Sequence, residues 1–246
     1  MTGTVGTSPL ALVTGASKGL GAALARFLAG EGFDLIVTAR HAPDLEAMAA
    51  SLDVFETRVF AVPGDVTDPG HRHDLARRVE DHGAGLDLLV NNASTLGPSP
   101  LPSLTQHPLP ELESVFRTNV VAPIALVSAL LPALVSRRGQ VINISSDAAV
   151  AGYPGWGGYG ASKAALDLAS LTLAHELEGR GVSVVAVDPG DMRTDMHQAA
   201  FPNEDISDRP LPDVTLPFWA WLLHQPRAAV SGHRFRARSE RWEVPT

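Results

Sequence analysis

Tyr159 and Lys163 stand four residues apart in Gly158-Tyr159-Gly160-Ala161-Ser162-Lys163, and Ser146 lies thirteen residues upstream of the tyrosine. Such a set can supply a proton donor, a cation to tune it, and a second hydroxyl to hold a carbonyl oxygen. The run 161–177 alternates small and apolar residues at helical spacing. Positions i and i+4 then share a face, and an ammonium can approach a phenol. A free tyrosine, with a pKa of about 10, is a poor acid or base at neutral pH. A positive charge beside it favours the phenolate and brings it toward the working range. The same spacing also occurs in plain exposed helical pairs, so the surrounding elements decide.

Those elements alternate. Strands are expected at 10–13, 35–38, 59–62, 86–90, 140–144 and 182–187. Helices are expected at 22–29, 43–52, 71–82, 112–135 (bent near Pro123) and 159–177. Short, continuously apolar strands predict a parallel sheet covered on both faces, and the alternation predicts a doubly wound α/β architecture. With 246 residues and no linker, one domain spanning 1–246 is expected. Residues 97–110 are proline-rich and read as a loop. Residues 197–217, rich in Pro, Asp and Glu, break all periodicity and precede the apolar run 216–223. A substrate-covering segment at about 191–225 is expected there.

Composition excludes several classes. The net charge of −8 leaves no basic footprint for nucleic acid. Arg234, Arg236, Arg238 and Arg241 form the one basic cluster and read as a solvated edge strand or tail. The absence of cysteine excludes disulfides and thiolate chemistry. Residues 1–9 show no secretory pattern, and no apolar run approaches the roughly 18 residues of a membrane span, so a soluble cytoplasmic protein is expected. His71 and His73 form His-x-His without a carboxylate placed to complete a site, so no metal is expected.

Thr14-Gly15-Ala16-Ser17-Lys18-Gly19-Leu20-Gly21 follows the first strand and opens the first helix. Glycines let the backbone turn tightly against a pyrophosphate, and the helix N-terminus offers free N–H groups. Strand before and helix after are the context that supports nucleotide binding.

With these residues in place the chain resembles the short-chain dehydrogenase/reductase family in its single-domain form, from Leu10 to about Thr194. The motifs are the Thr14–Gly21 turn, Asp65-Val66 after the third strand, Asn91-Asn92-Ala93 after the fourth, Asn119 in the long helix, Ser146, Tyr159, Lys163, and Pro189-Gly190 after the sixth strand. The resemblance implies a Rossmann-type sheet of about seven strands, a nicotinamide cofactor, and hydride transfer between it and a carbonyl/alcohol pair. It implies that Tyr159 is the acid/base and that Lys163 holds the nicotinamide ribose and lowers the tyrosine pKa. Ser146 would steady the substrate oxygen, and Asn119 a water in the proton path. Asp65 and Val66 would meet the adenine, Asn91 the adenosine side, and Thr194 the nicotinamide carboxamide. Gly15, Ser17, Lys18, Gly19, Leu20, Gly21, Ala93, Pro189 and Gly190 complete the implied cofactor contacts. It also implies a homodimer or homotetramer built on the two long helices. Ser94 departs from the family pattern, which usually has glycine there, and the segment after Thr194 matches no family pattern.

At the end of the second strand, where NAD-preferring relatives carry an acidic residue, stands Ala39, with Arg40 next. A guanidinium binds a ribose 2′-phosphate through a charge-assisted fork, and Lys18 adds a second cation. NADPH is therefore expected over NADH, with reduction of a ketone or aldehyde as the usual direction. An NAD-linked alcohol dehydrogenase and a nucleotide-binding sensor without turnover stand as alternatives. Tyr153 and Trp156 border the pocket in relatives. Phe218, Trp219 and Trp221 either close over the same place, pointing to an apolar or aromatic substrate, or pack as core or oligomer contact.

Overall fold

In the computed structural model, which describes residues 8–83 and 85–244, seven parallel strands form one sheet in the order β3-β2-β1-β4-β5-β6-β7. They are β1 (Leu10–Thr14), β2 (Asp34–Thr38), β3 (Val59–Ala61), β4 (Leu88–Asn91), β5 (Gln140–Ile144), β6 (Ser183–Asp188) and β7 (Arg234–Arg236). The expected architecture is present. Most of residues 1–9, read above for a leader pattern, lie outside the described residues.

The sheet is coated on both faces because its strands are apolar at successive positions. Ala11, Val13, Leu35 and Val37 join one core layer, with α1 (Gly19–Gly30), α2 (Ala42–Ala50) and α8 (Leu216–Leu223). Leu10, Leu12, Ile36 and Leu89 join the other, with α3 (Pro69–His82), α5 (Ala122–Arg137) and α6 (Gly157–Leu177). Helix α3 starts on Asp68, whose side chain accepts from the Gly70 amide at 2.9 Å, and ends at Gly83 in the left-handed region, φ 78°. The remaining helices, α4 (Leu109–Phe116), α7 (Asp195–Ala200) and α9 (Arg227–Val230), are short.

The long helix differs from expectation in an informative way. Rather than bending at Pro123, it widens into a π-helical turn at Arg117–Val121, between α4 and α5. Proline has no N–H, so Pro123 cannot donate to the carbonyl of Asn119 four residues back. The wider turn takes up the disturbance, and the Ala122 amide reaches back to the Arg117 carbonyl. Leu109–Arg137 is also, by length and composition, apolar enough to cross a membrane, which corrects the expectation that no run would be. Its inner face, Leu126, Leu130 and Leu134, is a core layer of the domain. Its outer face leaves Val121 and Ile124 exposed.

Candidate active site

The carboxyl ends of β1, β4, β5 and β6 open on one cavity of about 630 Å³. Doubly wound sheets place their ligands at this edge. Ser145 and Ser146 follow directly on strand β5. Ser146 is extended, and its Oγ accepts from the Ala148 amide at 3.2 Å and donates to Asp147 Oδ1 at 3.0 Å. Helix α6 begins beyond the next turn and presents Tyr159 and Lys163 from one face to the same cavity.

Tyr159 is nearly buried, packed with Leu96, Ala148 and the Trp156 ring, which meets it edge-on at 5.8 Å. Burial pushes its phenol well above the ordinary tyrosine range. The hydroxyls of Ser146 and Ser94 pull it down, while the carboxylates of Asp188 and Asp147 push it further up. Lys163 is 2% exposed, and burial pushes its ammonium down to about 8, against the field of Asp167. Its Nζ donates to the Ile144 carbonyl at 2.7 Å and stands 5.6 Å from the centre of the Tyr159 ring. Lys163 is not among the groups that shift the phenol in the chain without cofactor, where burial raises it.

Asn119 sits in the π-helical turn, fully buried beneath the cavity rather than lining it. Its Nδ2 donates to the Thr95 carbonyl (2.9 Å) and to Ser162 Oγ (3.0 Å). Its Oδ1 accepts from the Thr95 amide (2.9 Å) and Ser94 Oγ (3.1 Å). It ties the loop after β4 to α6.

The opposite wall is the glycine turn. Gly15 has φ +64°, and a Cβ there would lie 2.9 Å from the Ala93 Cα. A Cβ on Gly21 would lie 2.2 Å from the Gly15 carbonyl oxygen. The absence of side chains at Gly15 and Gly21 thus lets the turn close against Ala93 and Asn92 behind it. Gly15, Ser17, Lys18, Gly19, Leu20, Arg40, Asp65, Val66, Ala93, Pro189, Gly190 and Thr194 all line the cavity with Ser146, Tyr159 and Lys163. A long cleft with a glycine-rich turn on one wall, Arg40 at its rim and Lys18, whose Nζ donates to Asp195 Oδ2 at 2.6 Å, fits a dinucleotide carrying an extra phosphate.

The sequence profile described as short chain dehydrogenase matches residues 9–205. The chain belongs to the short-chain dehydrogenase family. It is 38% identical over 185 residues to a serine 3-dehydrogenase of Rhizobium radiobacter, covering 75% of this chain and 72% of that one. It is 31% identical over 208 residues to the 3-oxoacyl-[acyl-carrier-protein] reductase FabG of Staphylococcus epidermidis, covering 84% and 83%. Among solved structures, a short chain dehydrogenase from Pseudomonas syringae superposes with a TM-score of 0.88 at 30% identity, covering 95% of this chain and 96% of that one. One from Shigella flexneri, complexed with NADP, gives 0.87 at 29%, covering 94% and 97%.

Within this short-chain dehydrogenase, some placements differ from the sequence reading and others decide between its alternatives. Asn91 does not reach the cavity: its Nδ2 donates to Asn143 Oδ1 at 2.8 Å inside the sheet. Its neighbour Asn92 lines the cavity instead, and its Nδ2 donates to the carbonyls of Thr14 (2.9 Å) and Gly15 (3.1 Å), fixing the glycine turn. Strand alternation could have shown that only one of two consecutive asparagines faces the ligand edge. Gly21 likewise lies behind the turn, as a packing residue. Of the two alternatives for the apolar run, Phe218 and Trp219 take the core one: they are 0% and 2% exposed, among the Phe235, Trp221 and Trp242 rings. The end of the cavity beside Tyr159 is lined by Met192, Met196, His197, Phe201, Tyr153 and Trp156, the Trp156 ring 5.9 Å from that of Phe201. Of the expected covering segment, only the part around α7 meets the cavity. His71 packs under β2, its Nε2 2.8 Å from Thr38 Oγ1, as a core residue.

Proposed function

We propose that this short-chain dehydrogenase reduces a ketone or aldehyde to an alcohol with NADPH. The observation that carries the reading is the convergence of Ser146, Tyr159 and Lys163 on the cavity whose other wall is the glycine turn with Lys18 and Arg40. The Shigella relative's complex with NADP supports the choice of cofactor. Bound in the cleft, NADPH would supply the hydride. Arg40 and Lys18 would hold the 2′-phosphate, the amides of the glycine turn the pyrophosphate, and Lys163 the nicotinamide ribose.

Tyr159 donates the proton that the carbonyl oxygen needs as negative charge builds on it, and the buried, protonated phenol favours that direction. Ser146 turns its hydroxyl from Asp147 to the same oxygen, so two donors meet the developing charge. Met192, Phe201 and Trp156 make the substrate side largely apolar, with the carboxylates Asp147 and Asp191 at its edge. An apolar or aromatic carbonyl compound fits this lining. The exposed apolar residues of the two long helices, Val121, Ile124, Leu168 and Leu171, support a homodimer or homotetramer.

The test is NADPH oxidation by the purified chain across ketones and aldehydes graded in size and polarity. Turnover on apolar carbonyls supports the reading. NADPH binding without turnover on any member favours the sensor alternative.

A further inference from the structure

Arg234 opens β7, at the edge of the sheet, where the basic cluster read as solvated. Arg236, Arg238 and Arg241 are exposed, but Arg234 is turned inward, its side chain 24% exposed. Its guanidinium reaches beneath the reaction centre. Nη2 donates to the Ser146 carbonyl at 2.7 Å and to Asp188 Oδ2 at 3.3 Å, and Nε donates to Asp167 Oδ2 at 2.8 Å. The three partners lie in three places: the turn just after β5, the end of β6, and α6 one turn beyond Lys163.

Each partner bears on the chemistry. The Ser146 carbonyl belongs to the residue whose hydroxyl meets the substrate oxygen. Asp167 is the carboxylate whose field acts on Lys163, and Asp188 is the first of two that act on Tyr159. Their side chains are 16% and 5% exposed. A carboxylate so placed without a cation is costly and projects its field through a poorly screened interior.

We propose that Arg234 is a positioning residue of the reaction centre, fixing the Ser146 peptide and balancing the carboxylates of Asp167 and Asp188 that face Lys163 and Tyr159. The proposal rests on the carbonyl-reducing reading of the cavity and adds to it a residue outside the family motifs. The other charged groups around it are Asp147, which faces Asp188 and Tyr159, and Arg236, whose Nε lies 4.0 Å from Asp188 Oδ2. The Arg236 side chain is 63% exposed, so solvent screens it. A lysine would not replace Arg234, because one compact ammonium lacks the planar fork that spans the Ser146 carbonyl, β6 and α6 at once.

The sequence contains two lysines, Lys18 and Lys163, so ¹³Cε-lysine NMR of the full chain without cofactor reads Lys163 directly, with exposed Lys18 as internal reference. In Arg234→Gln, Asp167 loses its cation and stabilises the ammonium, so the Lys163 titration moves up by about one pH unit. In Arg234→Gln/Asp167→Asn it moves back below that of Arg234→Gln. With NADPH and the best carbonyl of the panel, Arg234→Gln lowers kcat/KM by about tenfold or more. NADPH affinity stays within about twofold, because Arg234 touches no cofactor contact. An unmoved Lys163 titration in a folded Arg234→Gln protein overturns the proposal, as does loss of NADPH affinity in step with turnover. If Arg234→Gln does not fold, adding Asp167→Asn and Asp188→Asn removes the unbalanced charges and is expected to restore folding; failure there also overturns it. If the wild type reduces no carbonyl, the reaction reading fails while the NMR measurement still decides the role of Arg234.

Discussion

Lys163 and Tyr159 are both buried, and burial moves them in opposite senses: the ammonium loses its proton more easily, and the phenol holds its proton more tightly. Below about 8, Lys163 is charged and Tyr159 is a phenol, the pair that carbonyl reduction needs. As pH rises through about 8, Lys163 loses its charge before Tyr159 ionises. The expected outcome is a kcat/KM for NADPH, which reports the free enzyme, that is level at neutral pH and falls above about 8. A rate that climbs through that window would contradict the assignment. At the other end of the cleft, Arg40 is a matter of charge. Arg40→Ala is expected to cut the ratio of NADPH to NADH affinity by about tenfold or more, the worth of a charge-assisted contact to phosphate. A ratio that stays put would assign the 2′-phosphate to other residues.

The glycine turn and the helices act as elements, through packing. Gly21→Ala puts a methyl group on the Gly15 carbonyl oxygen, and it is expected to lower stability by about 1–3 kcal/mol and NADPH affinity with it. Thermal melting and nucleotide titration check both. Phe201 and Phe218 make a contrasting pair. Phe218→Ala empties a fully buried site and should cost about 3–5 kcal/mol. Phe201→Ala, at the cavity, should change KM for the carbonyl substrate with a far smaller effect on Tm. The reverse pattern would return α8 to the role of substrate cover. These elements also show what could be read from the chain before its fold. The glycine turn, Ser146, Tyr159 and Lys163 were legible because local spacing fixes them: a turn between strand and helix, and one helical turn between tyrosine and lysine. The apolar run 216–223 was ambiguous, because an aromatic segment looks the same against a substrate as against Phe235 and Trp242. Arg234 was misread because its partners are 46 to 88 residues away in sequence, and nothing local distinguishes it from Arg236. The π-helical turn was missed because Pro123 signals a disturbance of the helix without saying what form it takes.

For the whole molecule, the sheet brings the ends of β1, β4, β5 and β6 to one edge, so residues from Gly15 to Phe201 share one cavity. The outward faces of the two long helices carry exposed Val121 and Leu168, more apolar surface than a solvated helix presents. Light scattering is expected to give a dimer or tetramer, and Val121→Asp/Leu168→Glu to lower the mass toward the monomer; a monomeric wild type would rule out that assembly. The central claim is that the cavity holds cofactor and carbonyl together, with Tyr159 as the proton donor. Its most direct test compares wild type and Tyr159→Phe for NADPH-dependent reduction of the best carbonyl in the panel, with NADPH affinity measured on both. The account predicts a fall in kcat of about 10²–10⁴-fold with NADPH affinity nearly unchanged. Equal turnover in the two proteins would contradict it.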